Sequence, residues 1–134
     1  MLRTLILGLF ILAVSPQPAV AACAGPNPAI TSVHVPYHNT KGQLNIYHIV
    51  GTVTNEGSSG QPSNVLQFVD IYQYGQKLDS RGIPPLAAGA SYNFSYNWAR
   101  SVEAAAGSSM MNFRMDMRSG INCNPANGTY SVTF

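Results

Sequence analysis

The chain has 134 residues, of which only 9% are charged, against about a quarter in an average soluble domain. Seven Lys and Arg stand against five Asp and Glu, a near-neutral balance that offers no electrostatic handle to nucleic acid or to an anionic membrane. Low charge with abundant Ser, Thr, Asn, Gly and Tyr is the composition of an extracellular β protein and argues against a helical one.

The first residues read as an export signal. Met1 and Arg3 give a short positive start, and Leu5 to Val14 form an apolar run too short to cross a bilayer as a helix. Ser15, Pro16 and Pro18 interrupt it, and Ala19-Val20-Ala21 puts small residues where a signal peptidase cuts. Residues 1–21 are therefore set apart from a single domain over 22–134. That domain is near the commonest domain size and long enough to bury a core. No second apolar stretch approaches transmembrane length, so the mature chain is expected to be secreted or periplasmic.

The mature chain opens with a Pro/Gly-bearing lead-in, Ala24 to Pro28, and a first strand is expected over Ile30 to Val35. Pro36 to Gly42 reads as a turn. Leu44 to Asn55 (LNIYHIVGTVTN) is β-prone with apolar residues on both parities, and Gly51 is expected to mark a bulge that switches faces. Asn55 to Ser63 is a polar, Gly- and Ser-rich loop. Val65 to Tyr74 is the next strand, Gly75 turns the chain into a short Gln76 to Asp79 segment, and Ile83-Pro84-Pro85-Leu86 cannot be a central strand because prolines remove ladder donors.

Three later segments alternate with period two, the signature of a half-buried strand. In Tyr92 to Trp98 the aromatics Tyr92, Phe94, Tyr96 and Trp98 share one parity. In Met111 to Arg118 the apolar parity holds Met111, Phe113, Met115 and Met117, and Thr129 to Phe134 repeats the pattern with Tyr130, Val132 and Phe134. Val102 to Ala106 is the only helix-prone stretch and is too short to stand as a helix. About seven short strands without helical crossovers predict an all-β, immunoglobulin-like antiparallel sandwich.

Four motifs in this order resemble the bacterial cell-adhesion-related domain, CARDB, over Gly51 to Phe134. They are Val53-Thr54-Asn55-Glu56-Gly57, Tyr72-Gln73-Tyr74-Gly75, Leu86-Ala87-Ala88-Gly89 leading into the Tyr92 strand, and Met115-Asp116 followed by Asn122 to Asn127. Where that family has a Glu-x-Asn-Asn type of turn before its last strand, this chain has Asn122-Cys123-Asn124-Pro125. The resemblance implies a seven-stranded sandwich used for binding or as a spacer in exported proteins, with no catalytic residues.

Cys23 and Cys123 are an even count in an oxidising compartment, which suggests one disulfide. In the sandwich the start of the first strand and the loop before the last strand lie at one end, so a bridge is sterically allowed. The rival is a lipid anchor at Cys23, because Val20-Ala21-Ala22-Cys23 loosely matches a lipoprotein signal. Eight residues separate Val14 from Cys23, whereas a lipobox abuts its apolar run, so the disulfide is favoured.

No cofactor or metal is expected. His34, His38 and His48 lack a carboxylate at a telling interval, and the i, i+4 spacing of His34 and His38 brings a pair together only on a helix. Asp70, Asp79, Asp116, Glu103 and Glu56 are scattered, with no nucleophile motif nearby. The shared parity of Trp98 and Tyr96 with Phe94 favours the core, which leaves Tyr37, Tyr47, Tyr72 and Tyr74 as surface aromatics. Asn93 and Asn127 stand in glycan-acceptor triplets, given little weight beside a bacterial resemblance.

Binding in a sandwich falls to loops or sheet edges. The candidate loops are Asn55 to Asn64 and Asn122 to Gly128, with Asn55, Glu56, Asn64, Asn122, Asn124 and Asn127 as candidate contacts. The expected function is a non-catalytic binding or structural module that meets a protein or glycan at the cell envelope. The alternatives are a small outer-membrane β-barrel, suggested by alternation up to Phe134, and a secreted enzyme of unknown chemistry.

Overall fold

The computed structural model describes residues 23–104 and 108–134; the proposed export signal lies outside them. Seven strands follow in order: β1 Pro28–Lys41, β2 Leu44–Asn55, β3 Gln67–Gln73, β4 Gln76–Ile83, β5 Ser91–Ser101, β6 Met110–Met117 and β7 Thr129–Thr133. They form two antiparallel sheets, a three-stranded one in the order β1-β2-β5 and a four-stranded one in the order β4-β3-β6-β7. This is the immunoglobulin-like sandwich that the alternation predicts. Two open sheets packed face to face are not a closed barrel, so the outer-membrane alternative falls.

The core lies where the inward parities meet. Ile30, Val33, Ile49, Val53, Phe94 and Trp98 from one sheet pack on Val69, Ile71, Ile83, Met111 and Phe113 from the other. Phe94 and Phe113 touch across the sheets with ring centroids 6.0 Å apart, and Trp98 meets the terminal Phe134 at the same separation. One hairpin turn is set by backbone conformation. Between β3 and β4 both central residues, Tyr74 and Gly75, have positive φ (51° and 74°), as a two-residue hairpin of primed type requires.

Four expectations about elements need correction. The segment Pro36 to Gly42 is not a turn, because β1 runs on to Lys41 before a two-residue turn at Gly42-Gln43. Pro36 is tolerated because β1 is an edge strand and the register shifts between His34 and Tyr37, which takes the proline out of the ladder. Gly51 marks no bulge. The register of β2 on β5 is unbroken from Leu44↔Ser101 to Thr54↔Ser91, and the bulges fall on β1 instead. The second apolar parity of β2 faces outward, with Ile46 and Val50 half-buried. Gly51 is required for another reason: it sits opposite Phe94, and a Cβ there would fall inside the Phe94 ring.

The short segment after Gly75 is a full strand reaching Ile83. Tyr92, placed inward by parity, lies near the end of β5 and is 41% exposed, beyond the reach of the opposite sheet. Val102–Ala104 forms one 3-10 turn, and the remainder of the helix-prone stretch falls outside the described residues.

Candidate functional site

The two candidate loops, distant in sequence, meet at one end of the sandwich around the lead-in Cys23 to Asn27. Cys23 and Cys123 are joined in a disulfide, with Cα atoms 5.7 Å apart and 100 residues between them in sequence. Beside the bridge the Cys123 N–H donates to the Pro26 carbonyl at 2.9 Å. From the first loop, the Glu56 and Ser58 N–H groups donate to the carbonyls of Asn27 and Gly25, at 2.9 and 3.1 Å. Gly57 lies so close to the lead-in backbone that a Cβ would collide with Gly25 and Asn27. The two loops also touch directly, where Asn127 Nδ2 donates to Glu56 Oε2 at 3.5 Å.

The six candidate contacts divide by exposure. Asn55 is fully buried and corrects the expectation of a surface contact. Its Oδ1 accepts from the N–H groups of Asn27 and Gly57 at 2.9 and 3.0 Å. Its Nδ2 donates to the carbonyls of Ser59 and Leu86, both at 3.0 Å. Every side-chain valence is used, so Asn55 holds the loop rather than presenting itself. Asn122 and Asn127 are half-buried, whereas Glu56, Asn64 and Asn124 are exposed. Asn122 donates to the Pro28 carbonyl and accepts from the Asn124 N–H, at 3.4 and 3.1 Å, which shapes the turn after the disulfide. Asn64 contributes its carbonyl, which accepts from Ser119 Oγ at 3.3 Å. Among the described residues, Asn127 Oδ1 and Asn27 Oδ1 are buried with no hydrogen-bond partner.

Between the lead-in, the first loop and residues 120–121, just ahead of the second candidate loop, opens a cavity of about 330 Å³ lined by Pro26, Ser59, Gly60, Pro62, Gly120 and Ile121. Its wall is largely apolar, and Ile121 at its rim is 69% exposed. Sequence reasoning held Ser59, Gly60 and Pro62 within its first candidate loop but missed Pro26, Gly120 and Ile121. The available signal was Ile121, a large apolar side chain set between Gly120 and Asn122 in an otherwise polar loop.

The other candidates are spread over the molecule. His48 sits between Asn97 and Asn39, His38 stacks on Tyr47 at 5.4 Å, and His34 is exposed. No group of three His, Cys, Asp or Glu side chains comes together among the described residues. Asp70 accepts from Ser80 Oγ and pairs with Lys77, Asp79 pairs with Arg81, and Asp116 with Arg118. Glu103 stands on the 3-10 turn, exposed. Trp98 is buried and Tyr96 half-buried. Burial raises the Tyr96 pKa, the nearby Asp79 carboxylate adds to the rise, and Arg81 opposes it. Of the surface aromatics, Tyr47 packs against the core and Tyr72 is half-buried beneath Arg114, while Tyr37 and Tyr74 are exposed.

No family model and no curated protein matches the sequence. Solved structures do. A CARDB domain from Pyrococcus furiosus, crystallised in complex with di-metal ions, superimposes with a TM-score of 0.61 at 17% identity, covering 89% of this chain and 95% of that one. The fold is that of a CARDB domain. A second match is a domain of a Methanosarcina acetivorans protein named as a cell surface protein, solved by NMR. It has a TM-score of 0.55 at 18% identity and covers 81% of this chain and 89% of that one. The CARDB fold accounts for the order of the four sequence motifs, each of which lies at a strand end or a turn.

Proposed function

We propose that this protein is an exported, non-catalytic binding module that engages a partner at the cell envelope through the disulfide-bonded end of its sandwich. The observation that carries the reading is the apolar cavity between the lead-in, the first loop and residues 120–121, with Ile121 exposed at its rim. Exposed apolar surface in a concave site, ringed by polar residues, is how contact sites are built. The lead-in, the first loop and the β6–β7 loop are tied together by the disulfide and by backbone hydrogen bonds. Such a site meets its partner with little ordering cost.

Supporting the envelope setting are the leader-like residues 1–21, the disulfide, and the cell-surface name of one structural neighbour. No helix among the described residues is long and apolar enough to cross a membrane. The Pyrococcus domain was crystallised in complex with di-metal ions; among the described residues of this chain no group of three His, Cys, Asp or Glu side chains comes together. The partner is proposed to be a protein or glycan surface.

The test is capture from an envelope extract on immobilised protein, comparing the wild type with Ile121→Asp. A charge at the cavity rim is expected to reduce partner recovery at least tenfold and to leave the thermal midpoint within about 2 °C, since a surface change costs about 0.5 kcal/mol or less. Equal recovery by both proteins overturns the loop-end reading.

A further inference from the structure

The two outer faces of the sandwich differ in kind. The outer face of the four-stranded sheet is laced with charge: Lys77 pairs with Asp70 at 3.6 Å, and Arg118 with Asp116 at 3.5 Å. Its aromatic rings are covered, Phe68 by Arg118 at 3.9 Å and Tyr72 by Arg114 at 5.0 Å. The outer face of the β1-β2-β5 sheet carries no carboxylate. Counting histidines as neutral, its one charge is Lys41, at the hairpin end. Arg100, at the end of β5, lies on the other side of that sheet over Trp98, at 4.8 Å.

This neutral face sets amides and hydroxyls among the outward apolar side chains Leu44, Ile46 and Val50. Thr54 bonds Ser91 at 2.7 Å, and Thr52 Oγ1 donates to Asn93 Oδ1 at 2.8 Å. His48 is clamped between Asn97 and Asn39, its Nδ1 2.7 Å from one side-chain amide and its Nε2 2.9 Å from the other, as a neutral ring can be when it donates at one nitrogen and accepts an amide N–H at the other. On His48 rests the ring of Tyr37, with centroids 4.1 Å apart. Tyr37 is 59% exposed, and among the described residues no arginine is stacked on it as Arg114 and Arg118 are on Tyr72 and Phe68. An aromatic ring is thus fixed in position by a histidine that is itself fixed by two amides.

We propose that the outer face of the β1-β2-β5 sheet is a binding platform for a neutral polysaccharide chain, with Tyr37 as its stacking ring. Charge decides against nucleic acid and acidic polymers. Nucleic acid and acidic polymers need several cations to replace their counterions, and this face supplies one. Hydroxyl groups of a neutral sugar match side chains that both donate and accept without charge, and the apolar side of a sugar ring suits an exposed tyrosine, whose flat body is apolar and whose tip is polar. The run of β2 from Leu44 to Thr54 spans about 35 Å at strand rise, which suits an extended chain better than a single sugar. This surface is separate from the disulfide-bonded end, and neither reading depends on the other.

Native gels cast with a β-glucan, a galactomannan, a xylan or an α-glucan, and a parallel gel with polygalacturonate, test the proposal on the full chain. At least one neutral polymer is expected to retard the wild type, with polygalacturonate having no effect. Tyr37→Ala should weaken that retardation at least tenfold, Tyr37→Phe should keep it because the ring remains, and Ile121→Asp should leave it unchanged. Tyr37 is exposed, so the Ala variant should unfold at the wild-type urea midpoint. Passage unretarded through all four neutral gels overturns the proposal. So does retardation by polygalacturonate alone, or full retardation of Tyr37→Ala.

Discussion

The side chain of Asn55 sits where four backbone groups from three segments converge: the lead-in at Asn27, the first loop at Gly57 and Ser59, and the β4–β5 connection at Leu86. An asparagine at the end of a strand and before a Glu-Gly pair looks like an ordinary turn residue, and polarity alone places it on the surface. Burial reverses that reading, because buried amide valences must be satisfied and here they are satisfied by loop backbone groups. Replacing Asn55 with Ala would strand the N–H donors of Asn27 and Gly57 and the Ser59 carbonyl, while the Leu86 carbonyl keeps its bond from the Gln61 N–H. Each unsatisfied group costs about 1–3 kcal/mol, and partial relaxation and water entry offset part of the sum, so a loss of about 2–4 kcal/mol is expected. Urea unfolding reads this directly: the midpoint should fall while the slope stays constant. Asn55→Ala with an unchanged midpoint would show that the loop does not depend on this side chain.

At the scale of elements, alternation was the legible part. The β5 and β6 strands came out with Phe94, Trp98, Met111 and Phe113 buried as their parity demanded, because one face of each lies on the core and the other in water. What alternation could not reveal was the role of exceptions. Pro36 reads as a turn in isolation and becomes a strand residue only because β1 is an edge with a bulge, a fact set by the pairing of distant strands. Gly51 reads as a bulge and instead makes room for an aromatic ring across the ladder, with Phe94 directly opposite. A glycine covered by a cross-strand aromatic is a recognised way to fill the missing side chain. Gly51→Ala should therefore cost about 1–3 kcal/mol by overpacking. The penalty should shrink when Phe94 is replaced by the smaller Leu, because the two residues share one space. A double-mutant cycle on urea midpoints measures the coupling, and equal cost of Gly51→Ala in both backgrounds would mean that the ring is not what excludes a side chain.

For the molecule as a whole, the sequence placed the lead-in and the loop before the last strand at one end, but not the Asn55 to Asn64 loop beside them, nor what that end looks like. Solvent-facing positions such as Ile121 or Tyr37 follow no period, and only the closed sandwich shows that Gly120 and Ile121 stand across from Pro62 and Pro26. The disulfide joins the lead-in to the β6–β7 loop, so it braces the walls of the cavity as well as restricting the unfolded chain. A closed loop of this length, 100 residues in sequence separation, is credited by the chain-entropy model with roughly 4.7 kcal/mol, a ceiling from which native bridges often fall short. Reduction should then lower stability by about 2–4 kcal/mol. It should also raise the urea slope slightly, because the released chain exposes more surface when unfolded. The same chemistry separates the bridge from a lipid on Cys23. Protein recovered from the envelope and denatured without reductant should take up no maleimide, and should take up two equivalents after reduction. A single reactive thiol without reductant, at Cys123, would mean that Cys23 is occupied by something other than its partner, and the bracing of the cavity would have to come from the backbone hydrogen bonds alone.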